Sequence, residues 1–229
     1  MKKILSLFVL SLICSVAVLA QPGYGHGGYH NGPYGRDRDY GRGYGRGYYD
    51  NNLYGGLKFG LTASHVSGAS SDLVDANGIK TGINLGAAVG FSISPFAAFE
   101  SGLYYVEKGG VGNYSGGKIT YNLNYLEVPI LLKVNIFSGD RAIIQPYAGA
   151  YLGLGVGGQI KDYRMQISAS SFNDADFKRG DSGIVLGCGV TWSFLYAGIS
   201  YEYGLADISN SGFGDRHNRA LLLSVGFGF

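Results

Sequence analysis

Charge is scarce in this sequence. Lys, Arg, Asp and Glu make up 15% of its 229 residues, against roughly 25% in ordinary water-soluble domains. A soluble fold so poor in charge would be sticky in water, so composition argues against one. Cysteine is almost missing, with only Cys14 and Cys188, and Cys14 falls in an N-terminal leader. The single cysteine that remains excludes an internal disulfide, and no C-x-x-C pair is present. Neither G-x-S-x-G nor H-E-x-x-H occurs, which removes the usual signatures of hydrolases and zinc peptidases. Past the leader, no apolar run approaches the roughly 20 residues of a membrane-spanning helix.

The leader is Met1 to Ala20. Lys2 and Lys3 form its basic end, Ile4 to Leu19 its apolar run, and Val18-Leu19-Ala20 a small-residue cleavage site. Ile13 before Cys14 argues against a lipoprotein anchor. Loss of Lys2 and Lys3 leaves sixteen basic and sixteen acidic residues, a neutral mature chain with no electrostatic draw for nucleic acid. Residues 21–52 are low in complexity, as in the stretch Tyr40-Gly41-Arg42-Gly43-Tyr44-Gly45-Arg46. Such a segment cannot bury a core and is predicted to be a disordered periplasmic tail. Its Arg-Gly-Tyr pattern would suit stacking on nucleic acid, but an exported tail meets none. Contact with envelope proteins or cell-wall polymer is expected instead. His26 and His30 are expected to be solvated, and no metal or cofactor site is predicted.

What the sequence has in abundance is glycine and tyrosine, forty and nineteen respectively, set in period-two alternation. The closing stretch shows it best. Leu221, Leu223, Val225, Phe227 and Phe229 are large and apolar, whereas Ala220, Ser224, Gly226 and Gly228 between them are small. This is a strand with two different environments. Seven further runs precede it: Tyr54–Ala63, Thr81–Ile93, Phe96–Glu107, Thr120–Ile136, Ala142–Gly157, Ser182–Trp192 and Leu195–Ala206. The connections alternate too. Those at 92–95, 137–141 and 193–194 are tight, whereas 64–80, 108–119, 159–180 and 207–217 are long and polar. An even number of strands with short turns at one end and long loops at the other predicts an all-β fold, an eight-stranded antiparallel transmembrane barrel of the outer-membrane type. Residues 53–229 form that domain.

Volume decides which face points inward. An eight-stranded barrel is only just wide enough to be filled by side chains. The large apolar set is too bulky for that space and is assigned to lipid. The charges agree, since Lys58, Glu100, Glu127, Lys133 and Glu202 all fall on the small-residue face. They are predicted to form a polar network that plugs and rigidifies the lumen. Trp192, Phe227 and Phe229 are assigned to an aromatic girdle at the periplasmic rim and the closing strand. Two features fit less simply. Pro129 lies within a strand and predicts a bulge, and Asn122 and Asn124 are phased outward, which requires their strand to project beyond the membrane.

The candidate catalytic histidines are His65 and His217, each in a long loop near a serine, Ser67 or Ser211. Such pairs arise readily by chance, and no catalytic residue is assigned. The string Gly153-Leu154-Gly155-Val156-Gly157-Gly158 satisfies G-x-G-x-x-G, but it continues a strand's inward face and no helix signal follows, so a dinucleotide site is not predicted.

The segment Tyr125-Leu126-Glu127-Val128-Pro129-Ile130-Leu131-Leu132-Lys133 resembles the recurring motif of the PorT-like outer-membrane β-barrel family. So do Gln145-Pro146-Tyr147-Ala148-Gly149, the Tyr201 to Ile208 run with Gly204-Leu205, and the aromatic end at Phe229. The resemblance covers residues 53–229. It implies the barrel fold, an outer-membrane location and an accessory role in protein secretion or envelope assembly. The leading functional expectation is a non-enzymatic barrel whose long loops or tail bind a partner, and a narrow porin-like channel is a further alternative. Expected partners are outer-membrane lipid, envelope or secretion proteins, and the barrel-assembly machinery at the C-terminal strand.

Overall fold

The computed structural model describes residues 53–228 except 69, 72–73, 115–116, 139–141, 164–166, 173–176 and 210–214. The leader expected at 1–20, the tail expected at 21–52 and Phe229 lie outside the described residues.

Eight long strands build the molecule: β1 (Leu53–Ser67), β2 (Lys80–Ser94), β3 (Ala97–Tyr114), β4 (Gly117–Val134), β5 (Ala142–Gly157), β6 (Gly180–Trp192), β7 (Leu195–Gly204) and β8 (His217–Phe227). Each pairs antiparallel with its neighbour in sequence. β8 then returns to β1, in register from Leu57–Phe227 to Ser67–His217. The sheet is closed, so within the barrel wall no strand edge is left unpaired. Strand number, order and closure are those the alternation predicts.

The ends of the strands differ from expectation on the long-loop side. The segment 108–119 is not a loop: β3 and β4 stay paired up to Tyr114–Gly117. Short strands extend this hairpin sideways, Val74–Gly78 against β3 on one flank and Gln159–Asp162 against β4 on the other. Ile167–Ser170 pairs outside Gln159–Asp162 in turn. These ribbons are held mainly by ladder bonds, with single apolar residues such as Ile160 turned inward and no sustained apolar face, which is why hydrophobic periodicity missed them.

The two faces separate as volume requires. Leu61 is 63% exposed and Leu152 60%, whereas Val106 and Glu100 are each 1% exposed. Glycine on the inward face makes room for tyrosine. The Tyr196 ring lies over Gly189 and Gly198, and a carbon added at Gly198 would meet that ring within 2.8 Å. Tyr104 lies against Gly86 and Gly102 in the same way. The abundance of both residues is therefore a packing solution for a narrow lumen.

Pro129 does not produce the expected bulge. The β3–β4 register is the same on either side of it, Ser101–Ile130 and Tyr104–Glu127. The pairs between them drop out of that ladder, as a missing N–H requires, and the Ser101 hydroxyl donates to the Pro129 carbonyl at 2.8 Å. The register shift lies instead between Asn124 and Tyr125, against β5.

Candidate functional site

Inward-facing charges converge on two clusters inside the barrel. In the first, Glu100 from β3 lies between two lysines. Lys58 Nζ of β1 donates to Glu100 Oε1 at 2.6 Å, and Lys133 of β4 pairs with Oε2. Both ammoniums also face the Tyr196 ring, at 4.2 and 5.2 Å from its centroid. In the second, Lys108 of β3 is the hub. Its Nζ lies 2.6 Å from Glu127 of β4, 2.7 Å from Glu202 of β7 and 3.6 Å from Asp181 of β6. The Tyr151 ring covers it at 4.0 Å. Asn218 of β8 and the Tyr151 hydroxyl both donate to Asp181 Oδ2, at 2.8 and 3.2 Å.

Between the clusters is a cavity of about 60 Å³, bordered by Lys58, Asn84, Tyr104, Glu127, Glu202 and Ser224. That is space for a few waters. Below the first cluster, toward the tight turns, Thr191 donates to Gln145 and Gln145 to Asn135, each at 2.9 Å. Above the second, the long connections turn inward. Val66, Leu123, Tyr125, Phe177 and Ile208 form an apolar cluster, with Tyr121, Ile160 and Phe172 packed against it. Tyr121 meets Phe177 edge-on at 5.6 Å and Tyr125 meets Phe172 at 5.7 Å. The barrel carries a greasy cap at its outer mouth.

That cap is latched from outside. Phe177 bridges to Ser209, the Lys178 amide donates to the Ile208 carbonyl at 2.8 Å, and the Lys178 ammonium meets Asp207 at 2.7 Å. Asp207 Oδ1 also accepts from the amides of Ser209 and Arg216, at 2.9 and 3.0 Å. The Lys178 hydrogen bond and then these two amides hold the Asp207 carboxyl well below the usual carboxylate range.

All five charges expected inside are on the inward face, but they do not form one network. Lys58, Glu100 and Lys133 meet each other, whereas Glu127 and Glu202 meet on Lys108, which was expected in a loop. Asp181 falls between the expected connection 159–180 and the expected strand Ser182–Trp192, and it lies within β6. The signal for both was available: Lys108 continues the inward series Glu100, Gly102, Tyr104, Val106, and Asp181 leads into Gly183 and Val185. At the tight-turn end Trp192 is 59% exposed, and Phe227, Phe96 and Phe137 are also exposed. Ser67 and His217 are register partners, yet the Ser67 hydroxyl donates to the His217 carbonyl and not to its ring. His217 Nδ1 faces the Ala206 carbonyl at 3.0 Å, and His65 is paired across the sheet with Arg219. Ser211 lies outside the described residues. Among the described residues no group of His, Cys, Asp and Glu is arranged to hold a metal ion.

A closed eight-stranded antiparallel wall with leucine, valine and phenylalanine outward and ions inward defines a β-barrel that crosses a membrane with strands. Residues 46–210, well over half the chain, match the family described as outer membrane protein beta-barrel domain, and the chain belongs to it. It is an outer-membrane β-barrel protein.

Among solved structures, the chain is similar to Ail, the attachment invasion locus protein of Yersinia pestis, at 15% identity and a TM-score of 0.42, covering 77% of this chain and 98% of that one. It is similar to OprG from Pseudomonas aeruginosa at 13% identity and a TM-score of 0.42, covering 77% and 95%. Neisserial surface protein A is similar at 14% identity and a TM-score of 0.38, covering 76% and 97%. At these levels no residue's role passes from them to this chain. Among curated proteins, none matches.

Proposed function

We propose that the protein is a non-enzymatic, non-conducting outer-membrane barrel that presents its outer ribbons to a partner. The observation that carries this reading is the apolar cap of Val66, Leu123, Tyr125, Phe177 and Ile208. It closes the mouth of a lumen already filled by two ion clusters, and it anchors the connections that form the outer surface. A water-filled path belongs to wider barrels, and residues that bind partners concentrate on connections held by a rigid scaffold. Here the scaffold extends past the lipid-facing band as paired strands, from Val74–Gly78 across β3 and β4 to Ile167–Ser170.

Replacing residues 69–77, or separately 159–170, by a short Gly-Ser link tests it. The barrel should keep its heat-dependent gel mobility while capture of the partner from intact cells or envelopes is lost. Unchanged capture in both variants would exclude the ribbons and leave the tail at 21–52. The narrow-channel alternative requires steady conductance in planar bilayers, and a silent trace is expected. The PorT-like alternative, an accessory to secretion or envelope assembly, is supported by the Tyr125–Lys133 motif. It requires that cross-linking through the tail recover secretion or assembly proteins.

A further inference from the structure

Where the lipid-facing band ends on β3 and β4, the outer wall changes character within one residue pair. Tyr105 and Leu126 are register partners, and the next outward pair beyond them is Glu107 and Asn124. From there a hollow of about 380 Å³ opens, lined by Glu107, Asn122, Asn124, Gln159 and Lys161 and by Lys80, the register partner of Ser64. Its lining is polar throughout, unlike the wall directly beneath it. It sits at the long-loop end, which in outer-membrane barrels faces the cell exterior, just beyond the last outward apolar pair of β3 and β4, Tyr105 and Leu126.

The donors in this hollow have spare capacity. Neither Lys80 nor Lys161 is in an ion pair among the described residues. Asn122 uses its amide to donate to the Gln159 carbonyl at 3.1 Å, which props one wall of the hollow. The Asn124 carboxamide has no hydrogen-bond partner among the described residues. Glu107 accepts from the Ile83 amide and the Tyr105 hydroxyl, both at 3.4 Å, so its carboxylate still has lone pairs to offer. Two ammoniums, three carboxamides and one carboxylate recognise different parts of one ligand. The ammoniums suit a phosphate, and the carboxamides and carboxylate suit sugar hydroxyls. We infer that this hollow binds the phosphorylated sugar headgroup of an outer-leaflet glycolipid, with Lys80 and Lys161 on the phosphate and Asn124 and Glu107 on the sugar. The site shares Gln159 and Lys161 with the outer ribbon Gln159–Asp162, and substitution of its lysines alone leaves the ribbon backbone in place, so loss of lipid binding and loss of partner capture are separable.

The full chain, purified in detergent and titrated with bisphosphorylated lipid A, provides the test, read by native mass spectrometry. The K80Q/K161Q double variant should bind about thirtyfold more weakly, since each lysine near an anionic surface contributes roughly fivefold. K118Q, at the exposed tip of the β3–β4 hairpin, should bind as the parent does. Heat-dependent gel mobility reports whether each variant is folded. A comparison that needs no variant uses dephosphorylated lipid A on the parent protein, which should lose a similar factor. Undiminished binding by the folded double variant, or equal binding of the dephosphorylated lipid, would overturn the inference. Displacement of lipid A by millimolar inorganic phosphate would assign the hollow to a soluble anion and overturn the lipid assignment.

Discussion

Lys108 Nζ lies 2.7 Å from Glu202 Oε2 across the full width of the barrel. β3 and β7 are four strands apart in an eight-stranded ring, so this pair ties opposite walls together. The same ammonium holds Glu127 on the adjacent strand at 2.6 Å. Lys108 is completely buried, and three carboxylates depend on it.

Replacing Lys108 by Met should therefore be severe. Removing one partner from a buried ionic cluster costs about 3–5 kcal/mol, because the remaining charges stay desolvated and uncompensated. The barrel's thermal transition, followed by gel mobility or by fluorescence of Trp192, should fall sharply. Adding Glu127→Gln and Glu202→Gln to Lys108→Met should restore part of the loss, since fewer orphaned carboxylates remain. A Lys108→Met protein as stable as its parent would mean the cluster does not brace the wall.

The lipid-facing assignment predicts a contrast along one strand. Leu223 points outward near the middle of β8 and is 49% exposed, whereas its neighbour Leu222 points inward at 7%. Leu223→Arg places a cation in the hydrocarbon and should cost roughly 2–4 kcal/mol, whereas Leu223→Phe should be close to neutral. Folding yield into lipid vesicles measures both. Equal yields for the two variants would sink the assignment of faces.

The barrel was legible in the sequence because lipid and a narrow lumen impose opposite demands on alternate residues. That demand marks β5, where Leu152 and Leu154 alternate with Tyr151, Gly153 and Gly155. Outside the membrane the demand lapses, and the strand ends lose their signal with it. β3 was expected to end at Glu107 but continues to Tyr114, so the inward position of Lys108 was lost as well. The cap was hidden for a related reason. Phe172, Phe177 and Ile208 are single apolar residues in polar connections, and nothing in their spacing shows that they meet. The outer hollow draws residues from four separate elements, and of these only Asn122 and Asn124 stand out in the sequence, as outward polar residues needing an explanation.

The latch on the cap should respond to acid in one direction. Asp207 is held below its ordinary range, first by Lys178 and then by the amides of Arg216 and Ser209. A carboxyl whose folded pKa is depressed contributes stability that is complete above the unfolded value, near 3.9, and is lost as pH falls through the lower folded value. Between pH 7 and about 5 the latch should hold without change, and it should loosen only in stronger acid. Asp207→Asn should loosen it at every pH. Hydrogen exchange at the Ser209 and Arg216 amides reports both, and a parent protein whose exchange protection dropped between pH 7 and 5 would contradict this reading.

Glu100 provides the sharpest test of the inner cluster, because two cations depend on one carboxylate. Lys58 reaches it from β1, two strands away, and Lys133 from the adjacent β4, at 7% and 0% side-chain exposure. Glu100→Gln keeps the shape and removes the charge, so the two ammoniums are left facing each other in a buried space. The loss should be about 3–5 kcal/mol. Adding Lys133→Met to that variant removes one of the repelling partners and lets the new carboxamide oxygen accept from Lys58 alone. The double variant should therefore be more stable than Glu100→Gln, although it carries one more substitution. Thermal unfolding of the parent, both single variants and the double variant forms a complete cycle. Additive losses would mean that Glu100 and Lys133 do not act on one another.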